Sequence, residues 1–254
     1  MDLVTVINSK FFPYALKHLR CFRDVYPKNK IVVCVFGDLG HAVFRFSKNL
    51  EVVEIPEDVE HAWNPRFYYF KTAALKIGME QCRELFLYMD ACHRIISRPV
   101  EIESALHKHG RFYVEFPRID YFKMKYWATM ECIKRLGATY ESIEDCYQYQ
   151  AGLQAYVVNE ENKKFVDEML NYMRDPLIAG PSNWLQQPDG PNAICKAHRN
   201  DLSVLSILIQ RHGFDQPFSV AISEKYGDRM TLERFGGNEG HNWDNEPRII
   251  PRQF

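Results

Sequence analysis

The first ninety residues alternate. Short apolar runs at Leu3–Ile7, Ile31–Phe36, Leu50–Ile55 and Leu85–Met89 are interleaved with stretches of helical periodicity. Parallel strands cannot be joined by a tight turn and need a crossover, so this order predicts a parallel sheet with right-handed connections. Pro13 opens the first helix, in which Leu16, Leu19 and Phe22 follow the helical repeat until Tyr26-Pro27 stops it. Asn64-Pro65 is a cap and first-turn pair, predicting a helix to about Cys82 with Phe70, Ala73, Ala74 and Ile77 as its buried stripe.

Beyond this, Glu101–His109 reads as helix and Arg111–Phe116 as strand. Lys123–Leu136 reads as a further helix closed by Gly137. Gln148–Val158 has the pattern of a strand with a glycine, Gly152, where a ligand or another backbone comes close. Glu160–Arg174 is an amphipathic helix, with Phe165, Met169 and Tyr172 on one face. A loop rich in Pro, Gly and Asn, Pro176–Asn192, leads to a mostly apolar helix over Ala197–Ile209 that is entered through polar residues. Phe218–Ile222 reads as a last strand and the polar segment from Ser223 as a cover over the site or a disordered end. With no internal repeat and no linker, one α/β domain is expected.

The 254 residues are 46% hydrophobic, enough for a large core, and the formal net charge of −1 leaves no basic field for a nucleic-acid backbone. Nucleic acid is therefore an unexpected partner. No apolar stretch approaches the ~20 residues that span a bilayer, and Met1–Lys10 lacks signal-peptide character. Seven scattered cysteines with no CxxC pair fit a reducing compartment, so a soluble, cytoplasmic protein is expected.

Chemistry is expected at Leu85–Ile96, where an apolar run ends in Asp90, Cys92, His93 and Arg94. Ligands of open α/β sheets bind beyond the carboxyl ends of the strands, and residues two apart in extended chain face the same side. Asp90 and Cys92 would then point together at what is bound. The competing reading is an aspartate that caps the next turn.

Four segments in order carry a resemblance: Asn64-Pro65-Arg66-Phe67-Tyr68-Tyr69-Phe70-Lys71, Leu87-Tyr88-Met89-Asp90-Ala91-Cys92, Gln150-Ala151-Gly152 and His198-Arg199-Asn200-Asp201-Leu202-Ser203. Together they resemble nucleotide-sugar glycosyltransferases of the GT-A fold, including the small soluble enzymes of large algal viruses, which would place the protein in a host cytoplasm. The resemblance implies a single-domain, Rossmann-like α/β architecture with a central, mostly parallel sheet flanked by helices. Residues 1–96 would bind the nucleotide sugar, residues 97–222 would bind acceptor and carry catalysis, and residues 223–254 would form a loop-rich tail. It also implies a UDP-sugar donor and a glycan or glycoprotein acceptor.

In that fold an Asp-x-Asp motif holds a divalent cation, Mn²⁺ or Mg²⁺, against the donor diphosphate; Asp90-Ala91-Cys92 stands at its place. A thiol is a poor substitute for the second carboxylate. Either Asp90 binds the metal with help from His241, or cationic side chains neutralise the diphosphate, with Lys71, Arg94 and Arg199 as candidates. Asn8, Ser9 and Asp38 would hydrogen-bond base and ribose, or merely shape turns. Lys71 would reach the diphosphate or donor sugar, or be an exposed helix lysine. Asp201 would be the acid–base residue of an inverting transfer, or an N-cap. Gln150 and Gly152 would line the sugar or acceptor pocket, with His198 and Arg199 holding phosphate or acceptor. Trp63, Trp184 and Trp243 would stack on a sugar or simply pack. Two other functions stay open: a nucleotidyltransferase, although no Gly-rich loop follows the first strand, and an inactive carbohydrate-binding module on the same fold.

Overall fold

The computed structural model describes residues 1–9, 11–37, 39, 49–62, 64–95, 97–180, 195–214 and 232–234. Its strands are β1 (Asp2–Ile7), β2 (Ile31–Val35), β3 (Leu50–Glu54), β4 (Leu85–Met89), β5 (His93–Ile95), β6 (Arg111–Glu115), β7 (Tyr149–Val157) and β8 (Leu232–Arg234). Its helices are α1 (Phe12–Val25), α2 (Tyr69–Gln81), α3 (Val100–His109), α4 (Met130–Arg135), α5 (Tyr140–Ile143), α6 (Glu160–Met173), α7 (Pro176–Ala179) and α8 (Asn200–Arg211).

Six strands form one sheet in the order β3, β2, β1, β4, β7, β6. The pairs β1 with β2, β2 with β3 and β1 with β4 are parallel, whereas β7 is antiparallel to both its neighbours. Five strands therefore share one direction and β7 alone reverses. β1 and β2 are rich in Val and Ile, β4 is built of Leu, Phe, Tyr and Met, and all three are buried on both faces, as a sheet covered by helices on each side requires. One face packs against α2, α6 and α8 through residues such as Phe70, Ala74, Phe165 and Val204; the other packs against α1 and α3 through Leu19, Phe22, Ile102 and Leu106.

Three expected elements take a different form. The helix starting at Asn64 is broken. Asn64 caps a 3-10 turn over Pro65–Phe67, Tyr68 then adopts a left-handed backbone (φ 56°), and α2 begins only at Tyr69. The Asn-Pro signal is a turn signal as much as a helix start, and here it re-aims the chain before α2. Lys123–Leu136 is likewise interrupted, by two 3-10 turns, because the Thr129 hydroxyl accepts from Cys132 N–H and caps a separate short helix, α4. In α1 the buried stripe is Ala15, His18, Leu19 and Phe22; Leu16 is 52% exposed, and the inward face carries His18, whose Nδ1 donates to the His93 carbonyl of β5.

Pro176, expected in a loop, opens the single turn α7, capped by Asp175. The segment after Ser223 also holds an unforeseen strand: β8 pairs antiparallel with β5, His93 opposite Arg234. Phe218–Ile222 lies outside the described residues. Among the described residues no helix is long and apolar enough to cross a membrane.

Candidate active site

β4 ends at Met89, and the chain turns at once. Asp90 N–H donates to the Gly152 carbonyl at 2.9 Å, and His93 N–H donates back to the Asp90 carbonyl at 2.9 Å. This turn sits at the carboxyl end of the sheet, tied to β1 by the Thr5 hydroxyl, which donates to Met89 O at 2.8 Å. His18 of α1 secures its far side by donating from Nδ1 to the His93 carbonyl. Bonds to the backbone of the turn, two of them to Asp90 itself, thus fix it from β7, β1 and α1.

Its carboxylate is held as firmly. Oδ1 accepts from the Tyr88 hydroxyl at 3.0 Å and Oδ2 from Lys71 Nζ at 3.0 Å. The same ammonium lies 3.3 Å from Oδ2 of Asp201. Lys71 comes from the first turn of α2 and Asp201 from the first turn of α8, so three elements converge on one cation between two carboxylates. Lys71 is buried, not the exposed helix lysine that its sequence context equally allowed. Asp201 is also buried and is not an N-cap: the cap position of α8 is Arg199, and neither Asp201 oxygen makes a geometrically complete hydrogen bond. Lys71 is the cation that pairs with it.

The charges respond accordingly. Burial opposes the Lys71 charge, but the Asp201 and Asp90 carboxylates overcome it and hold the ammonium above the ordinary lysine range. Burial likewise disfavours ionised Asp90, yet Lys71, His93 and the Tyr88 hydrogen bond bring its carboxyl below its usual value. Asp201 goes the other way: burial is the largest influence, the Asp90 charge adds to it, and together they outweigh Lys71 and raise its pKa. Two carboxylates within reach of one lysine have therefore been pushed apart, the arrangement that separates a permanent anion from a proton acceptor.

Gly152 explains the crowding. A Cβ there would stand 2.5 Å from Asp90 Oδ2 and 3.5 Å from the His93 ring, so the Asp90 carboxylate occupies the space this glycine leaves, and the backbone of Asp90 also approaches it, donating N–H to the Gly152 carbonyl. Next to Asp90, Cys92 and His93 complete a group whose donor atoms lie within 4.8 Å of one another, with Cys92 Sγ 3.5 Å from His93 Nδ1. All three residues are half-buried. One carboxylate, one thiol and one imidazole are an adequate donor set for a divalent ion, though not an all-oxygen one.

Arg199 stacks on Trp127, its guanidinium carbon 3.9 Å from the ring centroid, and donates to Gln148 Oε1 at 3.1 Å. His198 is turned into the protein: buried, with Nε2 2.6 Å from Ile178 O, it props α7 and does not offer its ring to phosphate or acceptor. Asn200, in a left-handed conformation (φ 44°), donates from Nδ2 to the carbonyls of Arg66 and Ala179. Asn8 accepts from Phe11 N–H at 3.0 Å in the turn before α1, the local role its sequence context allowed. Ser9, half-buried, follows it at the carboxyl end of β1, and Gln150 lies in β7 two residues before Gly152. Arg94 belongs to β5, next to His93. Asp38, His241, Trp63, Trp184 and Trp243 lie outside the described residues.

His93 was legible in the sequence as part of the polar cluster that ends the apolar run, though with no role assigned, whereas Tyr88, Gln148 and Asn200 were not singled out as site residues. Tyr88 stands two residues before Asp90 in the same strand, so position alone could have found it. Gln148 and Asn200 matter only through contacts that no local pattern reveals.

A cleft of about 610 Å³ lies at the opposite end of the sheet, lined by Asp2, Lys30, Glu51, Arg83 and Glu84 among others. Its charges compensate one another, with Lys30 paired to Glu51. Among the described residues, no convergent group like that around Lys71 is found there.

No protein-family model and no curated protein sequence matches this chain. Solved structures do. The chain is similar to an active-site mutant of LgtC at a TM-score of 0.50 and 13% identity, covering 93% of this chain and 88% of that one. It also aligns with galactosyltransferase LgtC in complex with donor and acceptor sugar analogues, at a TM-score of 0.49 and 14% identity over 94% and 88% of the two chains. Sheet order, helix layers and the likeness at a TM-score of 0.50 give the class: the chain has the GT-A fold.

Proposed function

We propose that the protein is a glycosyltransferase that moves a sugar from a nucleotide donor, a UDP-sugar, to a hydroxyl of a glycan or glycoprotein. The observation that carries this reading is the buried Lys71 between Asp90 and Asp201 at the carboxyl end of β4 in a GT-A fold. Fold alone does not give function, so the weight rests on these side chains.

Glycosyl transfer breaks the bond between the anomeric carbon and the diphosphate oxygen, whose electrons stay on the leaving group, and joins the acceptor oxygen to that carbon. The leaving charge needs fixed cations, and Lys71 supplies one that is held rigid by two carboxylates and stays protonated. The hydroxyl proton needs an acceptor, and Asp201, its pKa raised by burial, is nearer to the matched condition than an ordinary aspartate. Asp90 holds Lys71 in place. Asp90, Cys92 and His93 are the residues that would hold a divalent ion, which supplies further neutralisation of the diphosphate when bound. Arg199 on its Trp127 shelf would face the acceptor. Asn8, Ser9 and Asp38 would take the base and ribose, with Gln150 beside the sugar.

The test is release of UDP from a panel of UDP-sugars, with and without acceptors and divalent ions. Turnover that disappears in Asp90→Asn supports the reading. Tight UDP binding without turnover of any donor indicates a binding module instead, and release of pyrophosphate from a nucleoside triphosphate indicates a nucleotidyltransferase. With Asp201 as base the product's anomeric configuration is inverted; retention removes that role from Asp201.

A further inference from the structure

The position where an acid pair would hold a hard cation is filled here by three different donors, and the geometry points to a site of changed metal preference: Asp90, Cys92 and His93 select a borderline-soft divalent ion of the zinc class over Mg²⁺ and Mn²⁺. The inference rests on the transferase reading only for what the ion does, not for whether it binds.

The two softer donors already stand at the spacing a metal centre needs. A tetrahedral centre with metal–sulfur near 2.3 Å and metal–nitrogen near 2.1 Å keeps its sulfur and nitrogen about 3.6 Å apart. Cys92 Sγ and His93 Nδ1 stand at 3.5 Å. Without an ion that spacing serves a thiol–imidazole contact. With one, the two atoms need hardly move: the ion takes the thiolate, and the thiol proton leaves to solvent.

The third donor and the access route agree. The Asp90 donor atom lies within 4.8 Å of the other two, so a small turn of one side chain completes three protein ligands and leaves a fourth position to water or a diphosphate oxygen. Half-burial of all three leaves a path for the ion. The backbone is already ordered: His93 N–H bonds to Asp90 O, His18 bonds to the His93 carbonyl, and Asp90 N–H bonds to Gly152 O.

Hard ions are disfavoured by the same inventory. Mg²⁺ and Mn²⁺ prefer oxygen donors, and the group offers one carboxylate, already accepting from Lys71 through Oδ2 and from Tyr88 through Oδ1. A bidentate carboxylate would have to displace both. A zinc-class ion needs a single lone pair from Asp90 and takes the rest from sulfur and nitrogen. No other group of three or more such ligands is found among the described residues.

Cobalt(II) is the probe, because a thiolate ligand gives a sulfur-to-cobalt charge-transfer band and a tetrahedral site gives intense visible bands. We expect the metal-free protein to develop both on addition of one equivalent, and Zn²⁺ to displace the cobalt where excess Mn²⁺ or Mg²⁺ does not. Cys92→Ser should lose the charge-transfer band and weaken Zn²⁺ binding by about 100-fold or more, at least the upper end of what losing an outer-shell partner costs. His93→Gln should weaken it comparably, and Cys92→Asp should turn the preference towards Mn²⁺. Absence of the band in the unaltered protein, its survival in Cys92→Ser, or Mn²⁺ bound as tightly as Zn²⁺ overturns the inference. Binding as described in a protein that turns over no donor leaves this site standing and removes only the transferase.

Discussion

Lys71 shows what a single residue decides. A buried ammonium between two carboxylates is tolerable only as a set, because the desolvation of each charge is offset by the others. Replacing it with methionine leaves the Asp90 and Asp201 carboxylates without the ammonium that lies between them. The expected cost is about 3–5 kcal/mol at neutral pH, read from denaturant unfolding, with partial recovery in Lys71→Met/Asp201→Asn. If the double variant is no more stable than the single one, the carboxylates are not strained against each other. Gly152→Ala tests the other side of Asp90. Its methyl would meet Oδ2 at 2.5 Å, so the carboxylate must leave Lys71 and Tyr88. Donor turnover should fall at least tenfold, while the melting transition, reporting an overpacking cost of about 1–3 kcal/mol, drops only modestly. Equal activity in Gly152→Ala would show that the placement of Asp90 is immaterial.

Elements set how these residues meet. Asp90 was legible in the sequence because a buried strand ends where its apolar run ends, and the side chain after that end must look into the crevice. The four parallel strands β3, β2, β1 and β4 were legible for the same reason, their short apolar runs being separated by helical or turn-forming stretches. The reversal of β7 was not, because a strand buried on both faces reads alike in either direction. Nor was the break at Tyr68, where an Asn-Pro pair serves a turn as well as it serves a helix. The hidden element-level device is Asn200. Its left-handed backbone starts α8, and its amide ties Arg66, just before α2, to Ala179 at the end of α7. It thereby sets the start of the helix carrying Lys71 against the start of the helix carrying Asp201. Asn200→Ala loses both bonds and strains the backbone, so a destabilisation of about 2–3 kcal/mol is expected, with a larger proportional loss of turnover. Asn200→Gly relieves the strain but restores neither bond; it should recover stability more than activity. Should Asn200→Ala match the parent protein in both measurements, the clamp is not needed.

At the scale of the whole molecule, pH acts on both helical layers at once. His18 on α1 is packed against one face of the sheet, and His198, ahead of α8, is buried on the other side; desolvation lowers each pKa from 6.5 to about 4. In the unfolded chain both imidazoles take up protons as pH falls through 6.5, while in the folded protein they stay neutral until about 4. The unfolded state therefore binds more protons throughout that interval, and stability must fall as pH falls across it. A shift of this size corresponds to on the order of 3 kcal/mol for each histidine once the interval has been crossed. Asp201 works in the opposite sense, because a raised carboxyl pKa lets the folded state take up a proton first, and acid relieves its burial. Asp90, with its lowered pKa, contributes stability that is lost only when pH falls below the ordinary carboxylate range. The sum is a protein that begins to weaken in mild acid, before most carboxylates are protonated. Urea midpoints measured from neutral pH down to the acid edge of the interval should decline steadily, and His198→Gln, which has no proton to gain, should flatten the slope. A midpoint independent of pH in that range would mean that the two imidazoles are not buried neutral, and the packing of α1 and α8 against the sheet would have to differ from that described.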